Sequence, residues 1–242
     1  MSRQWRILTS LEPASIQDRL DEETALFEAV AQGRAEATAS IWAAEQAIVC
    51  ARSEVRLPNF QMAAIESAAD GWPVYVRASG GAAVIQGPGI VNLTLCYRST
   101  EAIDLDASYV DLCRPLQMAL GALGIATSRG HVPRSFCDGR FNIIVGQRKI
   151  IGTAQKWRPL AGGNGHAVLG HALILLDANL RAGVAQLNRL YLNAGSDAIV
   201  DQRSLVNLSE LLHRTSPDDL TERFTGALLR QLPHEDSDAK SR

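Results

Sequence analysis

Residues 74–97 read VYVRASGGAAVIQGPGIVNLTLCY, and this stretch decides the class of fold. Three runs rich in apolar and β-branched residues predict strands: VYVRA (74–78), AAVI (82–85) and IVNLTLCY (90–97). Adjacent glycines and a Gly-Pro-Gly segment separate the runs and indicate turns. Connections this short leave no room for a crossover helix, so the strands are expected to pair in a mixed or antiparallel sheet.

The flanking sequence alternates helix and strand patterns in an order typical of an α+β protein. Apolar spacing predicts helices at 15–32, 60–70, 107–123, 180–192 and 204–213, with another beginning at Ser216. One or two strands are expected within 38–51, and single strands at 141–145, 149–155 and 166–176. Pro115 is interpreted as the first turn of its helix. These elements predict one domain over 1–233 with sheets packed against helices, followed by a polar tail at 234–242.

Composition excludes several classes of protein. The chain has 242 residues, a formal net charge of -2 and 46% hydrophobic residues, values that argue against disorder and against a nucleic-acid binder. No run of 18 apolar residues or signal peptide is visible, which predicts a cytoplasmic protein without membrane association. The four cysteines form no C-x-x-C pair, so neither a metal site nor a redox motif is expected.

The first segment with chemical potential is Arg77-Ala78-Ser79-Gly80-Gly81-Ala82. Adjacent glycines let a backbone approach a ligand closely and present N–H groups to it, while an arginine adds a fixed positive fork. A Ser-Gly-Gly sequence is more often an ordinary hairpin turn, and the arginine beside it would then be exposed. Both interpretations stay open at this level.

The second segment runs from Cys137 through Lys149 to Gln155. Gly146-Gln147 predicts a tight turn that places Lys149 at the start of a strand, and Gly152 within that strand suggests close approach of a ligand. A single lysine is more often a solvated surface residue, and a single cysteine a small core residue. Cys50, Cys96 and Cys113 lie in apolar periodic segments and are expected in the core.

Together these segments resemble the lipoate–protein ligase A and octanoyltransferase family, whose fold is shared with biotin protein ligases. Val76–Gln86 is similar to the family pattern Arg-Arg-x-Ser-Gly-Gly-Gly-Ala-Val-x-His. Gln147–Lys156 is similar to Gly-Arg-Lys-Ile-Ser-Gly-Ser-Ala-Gln-Arg, and His171–Leu175 to His-Gly-x-Leu-Leu. The resemblance implies a biotin/lipoate protein ligase-like catalytic domain and covers about residues 40–180.

The resemblance also implies roles for individual residues. Lys149 would contact the acyl carbonyl and favour a thiolate at Cys137, which some octanoyltransferases of the family have in this loop. The remaining substrate-binding positions would be Arg77, Ser79, Gly80, Gly81, Ala82, Gly152, Thr153, Ala154 and His171. Strands 74–78, 90–97 and 166–176 would supply apolar walls for the acyl chain. His166 is expected on the opposite face of its strand from His171, and His131, His213 and His234 at the surface.

The chain departs from the family pattern at Val76, Ala82 and Gln86, and Phe141-Asn142 lacks the carboxylate found in the ligases. The preferred hypothesis is therefore transfer of an octanoyl or lipoyl group to a lysine of a lipoyl-type carrier domain, through an acyl-Cys137 intermediate. An acyl carrier protein is a possible donor, lipoate or octanoate a substrate, and no tightly bound cofactor is expected. The alternatives are an ATP-dependent ligase, which would use ATP with Mg, and a non-catalytic relative that binds an acyl group or a lipoyl domain.

Overall fold

The computed structural model describes residues 3–102, 104–160, 163–212 and 216–234, which form two β-sheets packed with helices. The strands in chain order are β1 (Arg6–Ala14), β2 (Thr38–Ala44), β3 (Ala47–Ala51), β4 (Val74–Arg77), β5 (Val84–Gln86), β6 (Ile90–Ser99), β7 (Ser128–Arg129), β8 (Ile143–Val145), β9 (Arg148–Pro159) and β10 (His166–Leu175). The helices are α1 (Ile16–Ala31), α2 (Phe60–Ala69), α3 (Leu105–Ala122), α4 (Leu180–Ala194), α5 (Leu208–Leu211) and α6 (Pro217–Leu229). The expected α+β class is confirmed.

The larger sheet has seven strands in the order β1-β2-β6-β10-β9-β8-β7. Its centre is antiparallel, because β10 pairs with both β6 and β9 over most of its length. Only β1 runs parallel to its neighbour β2, and α1 makes the connection between them. Since β6 and β10 are buried on both faces, they have nearly continuous apolar runs in place of a strict alternation.

The smaller sheet has the order β4-β3-β5 and is also mixed, with β3 parallel to β4 and antiparallel to β5. α2 packs against α4, and both contribute to a core with β3, β5 and the end of β10. A second core lies on the other side of the large sheet, beneath α3 and α6. α1 packs against β6, β10 and β4, so it bridges the two sheets.

Capping residues set two helix boundaries as expected. The Ser15 hydroxyl accepts a hydrogen bond from the backbone N–H of Asp18 at 3.2 Å, and Ser216 does the same for Asp219 at 3.3 Å. The interpretation of Pro115 as the first turn is wrong: it lies inside α3, with nearly three turns of helix before it. The helix N-terminus lies ten residues earlier, because Asp104 caps it by accepting from the N–H of Ala107.

The segment 38–51, where one or two strands were expected, forms two strands: β2 of the large sheet and β3 of the small one. The helix expected at 204–213 is shorter, because a 3-10 turn at Gln202–Ser204 precedes the four-residue α5. The sequence does not predict β1, because its exposed and half-buried residues lack the apolar alternation of an interior strand.

Within the described ranges, no helix is both long enough and apolar enough to cross a bilayer. Cys50, Cys96 and Cys113 are buried, as expected, and burial raises the pKa of the Cys50 and Cys113 thiols to about 12. His131 is exposed and His234 is half-buried, whereas the expectation for His213 and for the tail at 235–242 lies outside the described residues.

Candidate active site

A cavity lies between α1, the small sheet and the face of the large sheet formed by β6, β10 and β9. About 60 Å³ of it is accessible to the centre of a water molecule, and its surface is mostly apolar. Apolar walls come from Ile16 and Leu20 of α1, Trp42 of β2 and Leu173 of β10. The cavity is therefore shaped for an apolar chain, and α1 forms a wall that the sequence patterns do not indicate.

Arg77 is buried at the end of β4 and organises the loop that follows it. Its guanidinium donates hydrogen bonds to the carbonyl oxygens of Val49 at 2.9 Å, Gly80 at 3.1 Å and Ala82 at 2.7 Å. Its side chain is only 5% exposed, so the alternative of a turn with an exposed arginine is wrong. Arginine fits here because its planar fork satisfies several carbonyl groups simultaneously.

The thiol of Cys137 lies against this loop, at the cavity. Its Sγ accepts a hydrogen bond from the backbone N–H of Ala82 at 3.3 Å and lies 3.7 Å from Nη2 of Arg77. Cys137 itself has a φ of 47°, a left-handed conformation that is uncommon for residues other than glycine. A backbone N–H and a guanidinium thus both contact the half-buried sulfur, whose residue has a strained backbone conformation.

Gly81 makes this approach possible. It has a φ of +106°, and a Cβ at this position would lie 2.5 Å from Sγ of Cys137 and 3.0 Å from Nη2 of Arg77. Any side chain would therefore collide with both groups. At neighbouring Gly80, by contrast, a Cβ would meet no heavy atom within 4 Å. The two glycines of the motif have different tasks, and only Gly81 is required by the thiol.

Lys149 is fully buried, in contrast to the usual position of a lysine at the surface. Its Nζ donates hydrogen bonds to the carbonyl oxygens of Phe136 at 2.6 Å and Cys137 at 3.1 Å. Burial lowers the pKa of Lys149 to about 8, while the charges of Cys137 and Asp138 act in the opposite direction. The lysine thus binds the consecutive carbonyl groups of Phe136 and Cys137 and places its positive charge near the cysteine.

A β-bulge gives Lys149 this orientation. In the pairing of β8 with β9, Ile143 faces Ile151 and Ile144 faces Lys149, so Ile150 is an extra residue on β9. The extra residue reverses the side-chain alternation, and the side chain of Lys149 consequently lies over Gly152. A Cβ on Gly152 would lie 2.8 Å from Cε and 2.9 Å from Nζ of Lys149. Gly152 thus leaves room for the lysine side chain, and it also lines the cavity.

Of the other predicted positions, Thr153, Ala154 and His171 line the same cavity, whereas Ser79 and Ala82 lie in the neighbouring loop. Thr153 donates from its hydroxyl to the carbonyl oxygen of Phe141 at 3.0 Å, and Ala154 faces His171 across the β9–β10 pair. Ala82 contributes its N–H to the thiol, and Ser79 is buried beside His171. His166 is not among the cavity residues, and its ring instead contacts Trp157 edge-on.

Two carboxylates escaped the sequence analysis. Glu23 lies on α1, with its Oε2 3.3 Å from Nδ1 of His171 and accepting from the hydroxyl of Thr94 at 2.8 Å. Its spacing of seven and three residues from Ile16 and Leu20 places it on the cavity face of the helix. An acidic residue within an apolar stripe was the available signal.

The second carboxylate is Glu54, which stabilises the glycine loop, the segment 78–83 between β4 and β5. Its Oε1 accepts from the N–H of Ala83 at 2.9 Å and from the hydroxyl of Tyr191 at 2.7 Å. Its Oε2 accepts from the N–H of Ala51 at 2.8 Å. These partners lie up to 137 residues away, so no local pattern indicates the role of this glutamate.

The positions that depart from the family pattern are accommodated by local contacts. Gln86 and Asn92 are buried and exchange two hydrogen bonds, at 2.8 and 3.0 Å, across the cavity wall. Asn142 donates from its amide to Oδ1 of Asp138 at 2.9 Å. A carboxylate at position 142 would face another carboxylate there, so the asparagine fits the neighbouring aspartate.

A thiol, a buried lysine and an apolar cavity on a two-sheet α+β scaffold define the class of domains that handle acyl groups. The chain belongs to the family of the lipoyl protein ligase A/B catalytic domain, whose model matches residues 15–229. It is 38% identical to an uncharacterized protein of Cupriavidus necator over 232 residues, which are 89% of this chain and 91% of that one.

Two further comparisons give a sequence relative with a named activity and a solved structure with the same fold. It is 30% identical to an octanoyl-[GcvH]:protein N-octanoyltransferase of Kyrpidia tusciae over 192 residues, which are 77% of this chain and 66% of that enzyme. The structure of lipoate-protein ligase A bound with ATP superposes with a TM-score of 0.72 at 17% identity, covering 96% of this chain and 87% of that one. The expected biotin/lipoate protein ligase-like fold is thereby confirmed, and members of this family are acyltransferases and ligases.

Proposed function

We propose that this protein transfers an octanoyl or lipoyl group to the ε-amine of a lysine on a lipoyl-type carrier domain, through a thioester on Cys137. One observation carries the proposal: Sγ of Cys137 borders the apolar cavity and contacts both the N–H of Ala82 and the guanidinium of Arg77. The 30% identity to an N-octanoyltransferase supports the same reaction class. A carrier of the kind named in that relative, GcvH, fits as donor or acceptor.

The cavity provides the affinity for the acyl chain. Burying about seven methylene groups at ~0.8 kcal/mol each would contribute roughly 5–6 kcal/mol. Ile16, Leu20, Trp42 and Leu173 form walls against which such a chain can pack. The polar groups of the wall, such as Gln86 and Asn92, bond to each other and leave the chain an apolar surface.

In the first half-reaction, the Cys137 thiolate attacks the thioester carbonyl of the donor. A new C–S bond forms to Sγ, the C–S bond to the donor breaks, and the donor sulfur leaves as a thiolate. The Ala82 N–H and the Arg77 guanidinium stabilise the attacking sulfur, and Lys149 supplies positive charge beside the developing oxyanion. In the second half-reaction, the carrier amine attacks the acyl carbon and Cys137 is released.

Intact-mass measurement after incubation with an octanoyl thioester donor tests the proposal. We expect one octanoyl adduct that hydroxylamine removes, present in wild type and in Cys113→Ala, and absent in Cys137→Ser. Cys113 is a matched control because its thiol is fully buried, with its pKa raised to about 12 by burial. Modification of the carrier only with ATP and free acid, and unchanged in Cys137→Ser, would overturn the cysteine route in favour of a ligase. An absence of modification under either condition would favour a binding protein.

A further inference from the structure

A chain of hydrogen bonds crosses the cavity wall from the glycine loop to α1. Oγ of Ser79 lies 3.2 Å from Nε2 of His171, and Nδ1 of His171 lies 3.3 Å from Oε2 of Glu23. The same carboxylate oxygen accepts from the Thr94 hydroxyl at 2.8 Å, and the Thr94 oxygen accepts from Nε1–H of Trp42 at 3.0 Å. These residues come from five separate elements, so the chain of bonds is a product of the tertiary fold.

The chemistry of Trp42 and of an ionised Glu23 fixes the direction of the bonds that these two residues make. The indole of Trp42 can only donate, so the hydroxyl proton of Thr94 points to Glu23. Burial acts to raise the pKa of Glu23, but its contacts with His171 and Thr94, together with the charge of Arg77, outweigh burial and hold the pKa below its ordinary value. An ionised carboxylate can only accept, so Nδ1 of His171 donates to Glu23, and in the neutral imidazole Nε2 is then the atom that accepts from the Ser79 hydroxyl.

We propose that His171, oriented by Glu23, is the general base of the second half-reaction and receives the proton of the carrier lysine through the hydroxyl of Ser79. The proposal rests on the acyl-Cys137 route proposed above. The lysine ammonium loses one proton to Ser79, whose own proton passes to Nε2 of His171. The amine then forms the C–N bond, the C–S bond to Cys137 breaks, and the second amine proton goes to the leaving sulfur.

The reaction needs such a base because a lysine side chain is an ammonium ion at neutral pH, with an ordinary pKa of about 10.4. Lys149 cannot take this role, because its Nζ is engaged as a donor to two carbonyl oxygens. Among the described residues that line the cavity, His171 is the only imidazole. The charged or titratable groups around it are Glu23 of α1, Arg77 of β4, and Cys137 and Lys149, which also line the cavity.

Separate measurement of the two half-reactions tests the proposal. In Glu23→Gln and Ser79→Ala, we expect acyl-Cys137 to form at close to the wild-type rate, while transfer to the carrier lysine slows by about tenfold or more. The ratio of wild-type to variant transfer rates should fall as the pH rises, because the amine then deprotonates without a base. Release of the acyl group by hydroxylamine, which is unprotonated at neutral pH, should be unchanged.

Glu22→Gln is the matched control, since Glu22 neighbours Glu23 on α1 but is exposed and pairs with Arg19. It should transfer like wild type at every pH. Equal slowing of lysine transfer and hydroxylamine release, or a ratio that does not depend on pH, would overturn the relay and indicate a structural role. If the Glu23→Gln variant transfers at a normal rate but prefers a different acyl chain length, Glu23 and His171 serve to recognise the chain instead. If wild type itself forms no acyl-Cys137, the proposed function fails first, and the two failures are thus distinguishable.

Discussion

A Cβ on Gly81 would lie 2.5 Å from Sγ of Cys137, closer than any two such atoms can approach. Gly81 and Cys137 are 56 positions apart in the sequence, yet their loops are in contact with no side chain between them. The backbone N–H of the next residue, Ala82, points at the sulfur as a result. The absence of a side chain at one position is therefore a requirement of the candidate nucleophile at the other.

Gly81→Ala is expected to disable acylation of Cys137 while the fold survives. The new methyl group would displace the sulfur or the loop by about 1 Å or more, and a misplacement of that size reduces rates on the order of 100-fold. The φ of +106° adds backbone strain of roughly 1–3 kcal/mol. Gly80→Ala is the control, because a Cβ there meets nothing within 4 Å. Equal adduct formation in both variants, measured by intact mass, would contradict this account.

Gly152→Ala is expected to act on Lys149. Its methyl group would lie 2.8–2.9 Å from the end of the lysine side chain and push Nζ away from the carbonyl oxygens of Phe136 and Cys137. Acyl transfer should fall nearly as far as in Lys149→Met. Gly121→Ala, an open position within α3, should keep full activity. A fully active Gly152→Ala would show that the contacts of Lys149 are dispensable.

The buried lysine predicts a specific pH dependence of stability. Its pKa is about 8 in the folded protein and 10.5 ordinarily, so between these values the unfolded state binds more protons than the folded state. The contribution of Lys149 to the free energy of unfolding therefore rises with pH from about 8 to 10.5. Denaturant titrations of wild type and Lys149→Met should show a difference that grows in this window. A constant difference would mean that burial leaves the lysine pKa unchanged.

Asn142→Asp is expected to destabilise the cysteine loop. The amide of Asn142 donates to Asp138 at 2.9 Å, and a carboxylate there would replace this bond by repulsion between like charges. The loss should be about 2 kcal/mol at pH 7, seen as a lower melting temperature, and should diminish on acidification as one carboxylate takes up a proton. The double variant Asp138→Asn/Asn142→Asp should recover most of the loss. If the double variant is no more stable than Asn142→Asp, the loss of stability does not come from repulsion between these two carboxylates.

The sequence by itself determined the α+β class, most of the element boundaries and part of the cavity lining, including Arg77, Cys137 and Lys149. Local physics carries this information: hydroxyl caps begin α1 and α6, and glycine pairs mark the turns of the motif. Arg77 and the two glycines lie in one short segment, and Cys137 and Lys149 lie in another. Each segment can be recognised in the sequence because it resembles a motif of the family.

Only the tertiary structure decided the rest. The apolar run at 38–51 fits either sheet equally well, and its division between β2 and β3 follows from the partners each half finds. Lys149 enters the site because of a bulge, which strand periodicity cannot indicate. Glu23 meets His171 across 148 positions and Glu54 meets Tyr191 across 137. Contacts over such distances leave no local pattern, because each depends on the packing of whole elements and not on the residues beside it.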